Sequence, residues 1–117
     1  MRLRALLVAA GLLWSVSVAA AQHDTHSANW RMPGCRGFLN SPIEDYLQGV
    51  CLGTIDTLMG LGRFGLGVCN PPEVTTEQGI RVVVQYIDAQ PARLHEDFRL
   101  LAIEALRKAW PCQQPKQ

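Results

Sequence analysis

Few side chains in this 117-residue chain could do chemistry: four cysteines, Cys35, Cys51, Cys69 and Cys112, and three histidines, His23, His26 and His95. Cysteine or serine catalysis needs a free nucleophile beside a base that a third group orients. An even set of cysteines in a small exported chain reads instead as two disulfides, and oxidised sulfur offers no thiolate. His23-Asp24-x-His26 looks like a metal clip, yet no further ligand lies nearby and the surrounding stretch is polar without an apolar period, so no metal site is expected. His95 is expected on the outer face of the last helix beside Glu96 and Arg99, with no nucleophile to serve. The stretch from Gly60 to Gly67 is glycine-rich, but it lacks both the Gly-Lys-Ser/Thr ending and the preceding strand of a phosphate loop. It reads as a flexible connector. Its Arg63 and Phe64 are a cation and an aromatic carried on a loop, the composition of a partner-binding tip. Trp30, Trp110, Tyr46 and Tyr86 read as packing or interface aromatics rather than a cofactor box. No catalytic residue, metal or cofactor is expected, and the chain reads as a binding protein, not an enzyme.

The elements that hold these residues begin after a targeting pattern. Arg2 and Arg4 precede an apolar run from Ala5 to Val18, followed by Ala19-Ala20-Ala21. That is the signature of a signal peptide over residues 1–21 with cleavage after Ala21, and the run is shorter than the roughly 20 residues of a spanning helix. Cleavage would place the protein in the periplasm, off the membrane. Of 11 Lys plus Arg against 10 Asp plus Glu, losing Arg2 and Arg4 leaves nine against ten, a formal charge of −1. Without a basic surplus, the counterion release that dominates nucleic-acid affinity is missing, so nucleic acid is not an expected partner. The remainder is one small domain whose buried surface is modest and whose stability calls for covalent help.

Residues 22–34 are polar and are expected to form a flexible N-terminal arm. An all-α domain of three to five helices is expected over 35–112, with a short tail at 113–117. Ser41, Pro42 and Glu44 form a helix-start pattern, and the helix should run to about Leu61 with Ile43, Leu47, Val50, Thr54 and Leu58 facing the core and Cys51 at the stripe's edge. Gly49 and Gly53, four apart on it, read as a packing notch suited to a dimer interface. Thr75 and Gln78 form a second capping box, followed by Ile80, Val83, Val84 and Ile87 on one face. Pro91 then opens a last helix with Leu94, Phe98, Leu101, Ala105 and Leu106 buried and Glu104 paired to Lys108 outside. Two antiparallel helices joined by a short turn bring Cys112 back to Cys69, which leaves Cys35 for Cys51, although four cysteines allow three connectivities.

The pattern Cys51-Leu-Gly53 with Asp56, Cys69-x-Pro71, Val74-Thr75 with Gln78, a β-branched helix before Pro91, Leu94-His95, and Ala105-Leu106 running into Ala109-Trp110-Pro111-Cys112 resembles the Rap/Tai immunity proteins of type VI secretion. The likeness covers Cys35 to Cys112. Thr54 departs from it where an aromatic is usual, and Gly79 where leucine is common. The resemblance implies a disulfide-stapled, HdeA-like helical domain in the bacterial periplasm, often a homodimer, that binds a peptidoglycan amidase effector and occludes its active site. The same fold class also serves as a periplasmic acid-stress chaperone of the HdeA type, the alternative reading.

Overall fold

In a computed structural model, which describes residues 23–113, the chain forms four α-helices: α1 Ala28–Asn40, α2 Tyr46–Leu61, α3 Thr76–Asp88 and α4 Phe98–Ala109, with a short 3-10 turn at Pro91–Arg93. No strand occurs among the described residues, so the all-α expectation holds. The expected targeting segment and its expected cleavage site lie outside the described residues. The helices pack on one another around a single core, in which Met32 of α1, Ile55 of α2, Ile80, Val83 and Ile87 of α3, and Phe98, Leu101 and Leu106 of α4 are almost fully buried.

The polar arm expected over 22–34 is corrected by α1, which starts at Ala28. Ser27 caps it, accepting from the Trp30 amide, and Asp24 in turn accepts from the amides of His26 and Ser27 and from the Ser27 hydroxyl. The amides of Ala28 and Asn29 donate to the carbonyls of Glu96 and Leu94, and the Phe98 amide donates to His26, so the start of α1 is sewn to the start of α4. Pro33, Gly34 and Gly37 are helix-weakening residues, and tertiary contact accounts for Gly34. A Cβ on Gly34 would stand 2.2 Å from the Leu47 carbonyl oxygen, so only glycine lets α1 cross α2 this closely.

The start of α2 is corrected too. Ser41 ends α1 instead, and Asp45 caps α2 through the amides of Leu47 and Gln48. The buried Gln48 explains the connector, because its amide accepts from Ile43 N–H and donates to the Ser41 carbonyl. The face that packs inward is Gln48, Cys51, Ile55 and Met59, one position away from the expected stripe; Ile43 is 65% exposed, while Leu47, Val50, Thr54 and Leu58 are half-buried. Helix α3 follows the sequence reading, with both arms of the Thr75–Gln78 capping box formed and Ile80, Val83 and Ile87 buried. Gly79, where the resembled family favours leucine, faces Met59 and Ile55, and a Cβ there would lie 2.2 Å from the Met59 sulfur. The methionine occupies the volume that a side chain at 79 would need.

The last helix is shorter than expected. Pro91 opens only the 3-10 turn, and α4 begins at Phe98 under an Asp97 cap. His95 therefore sits in the turn before α4 rather than on it, and it is exposed. Glu104 does not pair with Lys108. Arg93 reaches it across 2.8 Å and also holds Glu96, which ties the α3–α4 connection to the body of α4. Cys69 is bonded to Cys112 and Cys35 to Cys51, with Cα separations of 4.9 and 5.3 Å.

Candidate functional site

The segment from Leu61 to Cys69 is built as a rigid turn rather than a loose connector. Leu66 N and Val68 N both donate to the Gly62 carbonyl, and Arg107 of α4 donates to the Leu66 carbonyl at 3.0 Å. Gly65 and Gly67 have φ of 111° and 73°, which side-chain-bearing residues rarely adopt, so the two glycines make this reversal. Val68 is buried at its base, and Cys69 N–H to the Trp110 carbonyl at 2.8 Å closes it next to the disulfide. Arg63 and Phe64 project from this frame; Phe64 is 77% exposed, and Arg63 makes no ion pair among the described residues.

Exposed apolar surface continues from the turn along α2. Advancing 100° per residue, Tyr46, Val50, Gly53, Thr57 and Leu61 fall opposite the buried Cys51 and Ile55. Tyr46 is 74% and Leu61 57% exposed, and Asp56 is the sole charged side chain in the helix. No described atom lies within 4 Å of a Cβ at Gly49, Gly53 or Gly60. The expected notch at Gly49 and Gly53 is therefore open among the described residues: no other described helix fills it. A groove of about 460 Å³ runs beside it, from Gly49 and Val50 past Thr54 and Leu58 to Arg99 of α4. A helix apolar on every side is normally buried on every side, and a contiguous exposed apolar face marks an association surface.

The polar chemistry of the fold lies elsewhere. All four cysteines are bonded, and among the described residues no cluster of three or more His, Cys, Asp or Glu is disposed to hold a metal. The carboxyls held below their ordinary range lie just before α1, at the start of α4 and within α4. Hydrogen bonds from Arg99 hold the Asp97 carboxyl down at about 2, the Ser27 hydroxyl and amide lower Asp24, and Arg93 lowers both Glu96 and Glu104. A depressed carboxyl stabilises the fold above its ordinary value and loses that contribution as it protonates. The melting temperature should therefore fall as pH drops from about 4 towards 2, and Asp97→Asn should flatten that slope. An unchanged slope in the variant, followed by circular dichroism, would remove Asp97 from the acid response.

A family model for Rap1a immunity proteins matches residues 19–112. The chain belongs to the Rap1a immunity protein family. No curated protein and no solved structure matches it. Membership in an immunity protein family implies the binding of a cognate effector. Two disulfides fit an oxidising compartment, and among the described residues no helix is long and apolar enough to cross a membrane. For this Rap1a member, the sequence reading placed Arg63 and Phe64 exposed in a glycine-rich segment, and they are exposed, although that segment is a built turn and not a flexible connector. The full uncharged face of α2 was not legible: only the Gly49–Gly53 spacing hinted at it, because the face appears once Asp45 sets the helix start.

Proposed function

We propose that this Rap1a-family chain is a periplasmic immunity protein that binds a peptidoglycan amidase effector of type VI secretion and occludes its active site. The family match carries the reading. The rigid turn bearing Arg63 and Phe64 supports it, since an aromatic and an arginine held on a fixed frame suit a binding hot spot and lose little entropy on docking. An equimolar mixture with the cognate amidase should stop peptidoglycan cleavage; undiminished cleavage with no complex on gel filtration would sink the reading. Exchanging Arg63 and Phe64 for alanine should weaken the complex by roughly 2 kcal/mol or more, about thirtyfold, at an unchanged melting temperature. Equal affinity in the double variant would take the tip out of the interface.

The finer proposal for the uncharged face of α2 is a second copy. An antiparallel pair centred near Gly53 and Thr54 would set Tyr46 against Leu61 and Val50 against Thr57 in both directions, the self-complementarity that a twofold contact requires. A Cβ at Gly53 meets no described atom within 4 Å, so Gly53→Arg starts from open space in the single chain. It should yield a folded monomer in sedimentation where the unaltered protein is a dimer; identical sedimentation of the two would exclude this face.

A further inference from the structure

A groove of about 590 Å³ lies between the outer sides of α3 and α4. Val82, Ala89, Ala105 and Ala109 give it a shallow aliphatic lining, and Tyr86 forms a wall. The polar atoms of Tyr86 are engaged, its hydroxyl donating to Glu104 at 3.0 Å and its carbonyl accepting from Gln90 at 3.1 Å, so the wall is held in place. Lys108 is the one charged residue that lines the groove, its ammonium 5.8 Å from the centre of the Tyr86 ring. Arg36, Arg81, Arg93 and Arg99 each hold a carboxylate, whereas Lys108 holds none among the described residues. Gln85, on the rim, likewise makes no side-chain hydrogen bond among them.

These features define a ligand: small aliphatic groups for the alanine and valine surface, an amide to match the donor and acceptor of Gln85, and one negative charge for Lys108. The volume falls in the range of small-molecule sites. We propose that the groove binds the C-terminal end of a short, free aliphatic peptide, with its terminal carboxylate on the Lys108 ammonium, its side chains over Ala105 and Ala109, and a peptide group on Gln85. An ammonium and carboxylate brought together at the edge of an apolar surface form a charge-assisted hydrogen bond stronger than a neutral one. The glutamine amide selects a peptide over a plain fatty acid, which has no second polar group to offer it.

The experiment is titration calorimetry of the full chain with tri-alanine and with tri-alanine amide. Saturable binding of the acid is expected, with the amide at least about tenfold weaker. Lys108→Met should weaken the acid by the same factor and leave the amide unchanged. Ala109→Phe, at an exposed position on the rim, should block both peptides while the helical circular dichroism stays as it was. No binding by the acid, equal binding of acid and amide, or a Lys108→Met protein that binds like the original would overturn the proposal. So would sedimentation showing that Ala109→Phe converts a dimer to monomer, because a second copy would then occupy the groove. The result is independent of the effector reading, which concerns the Arg63–Phe64 turn and is scored by inhibition of the amidase.

Discussion

Replacing Cys69 and Cys112 together by serine should lower the unfolding free energy by about 4 kcal/mol, read as a shift of the urea midpoint at nearly constant slope. The bond spans 43 residues, and the loop-closure cost that it removes from the unfolded chain grows with that span. In the folded state the same junction is held independently, by the hydrogen bonds Cys69 N–H to Trp110 and Cys112 N–H to Gly67, which together form the antiparallel bridge between Val68 and Pro111. The serine variant should therefore keep its helical spectrum while losing stability. Cys35 and Cys51 span 16 residues, worth roughly 3 kcal/mol in closure entropy, but both sulfurs are buried, so their removal also opens a cavity. Each loss is a large part of the roughly 5–15 kcal/mol that holds a domain together. A loss below about 1 kcal/mol for the Cys69–Cys112 variant would show that the entropic account fails here.

Gly34→Ala should destabilise the protein by roughly 3 kcal/mol, although alanine is the better helix former by about 1 kcal/mol. The added methyl would meet Leu47 at 2.2 Å from its carbonyl oxygen and 2.8 Å from its Cβ. Backbone atoms cannot swing aside as a long side chain can. Nor can the helices part, because the adjacent Cys35 is bonded to Cys51 with the Cα atoms 5.3 Å apart. Gly49→Ala is the matched control: it is also helical, nothing lies within 4 Å of its Cβ, and it should raise stability by up to about 1 kcal/mol. Thermal melts of the two variants should move in opposite directions. A stabilised Gly34→Ala protein would mean that α1 and α2 do not cross as closely as described.

What was legible in the sequence was local. The Thr75–Gln78 capping box and the Ile80, Val83, Ile87 period act within one turn or one face, and the structure keeps them. The return of Cys112 to Cys69 was expected from a helical hairpin, with three connectivities still open in the sequence; the structure makes that return with a shorter α4. Helix α1 was hidden because Pro33, Gly34 and Gly37 weaken an isolated helix, while the close crossing against Leu47 that requires Gly34 and the bond from Cys35 to Cys51 are tertiary. The core face of α2 was misplaced for a different reason. A helix with one charge and apolar residues on every side has no preferred face in its periodicity, and Ser41 and Asp45 are both competent caps. Glu104 was given to Lys108 by spacing, but a guanidinium arriving from the preceding turn makes two hydrogen bonds to it, beyond the reach of an i,i+4 rule. Of the candidate sites, Arg63 and Phe64 could be singled out because glycines surround them. The groove between α3 and α4 exists only once those helices are set side by side.

The two cystine loops follow one another along the chain and do not interlock: Cys35 closes with Cys51 before Cys69 closes with Cys112. A polypeptide delivered N-terminus first to an oxidising catalyst would present its thiols in the order in which the native bonds need them. Each bond could then form between the two thiols most recently exposed, and vectorial oxidation would reach the native connectivity without calling on a disulfide isomerase.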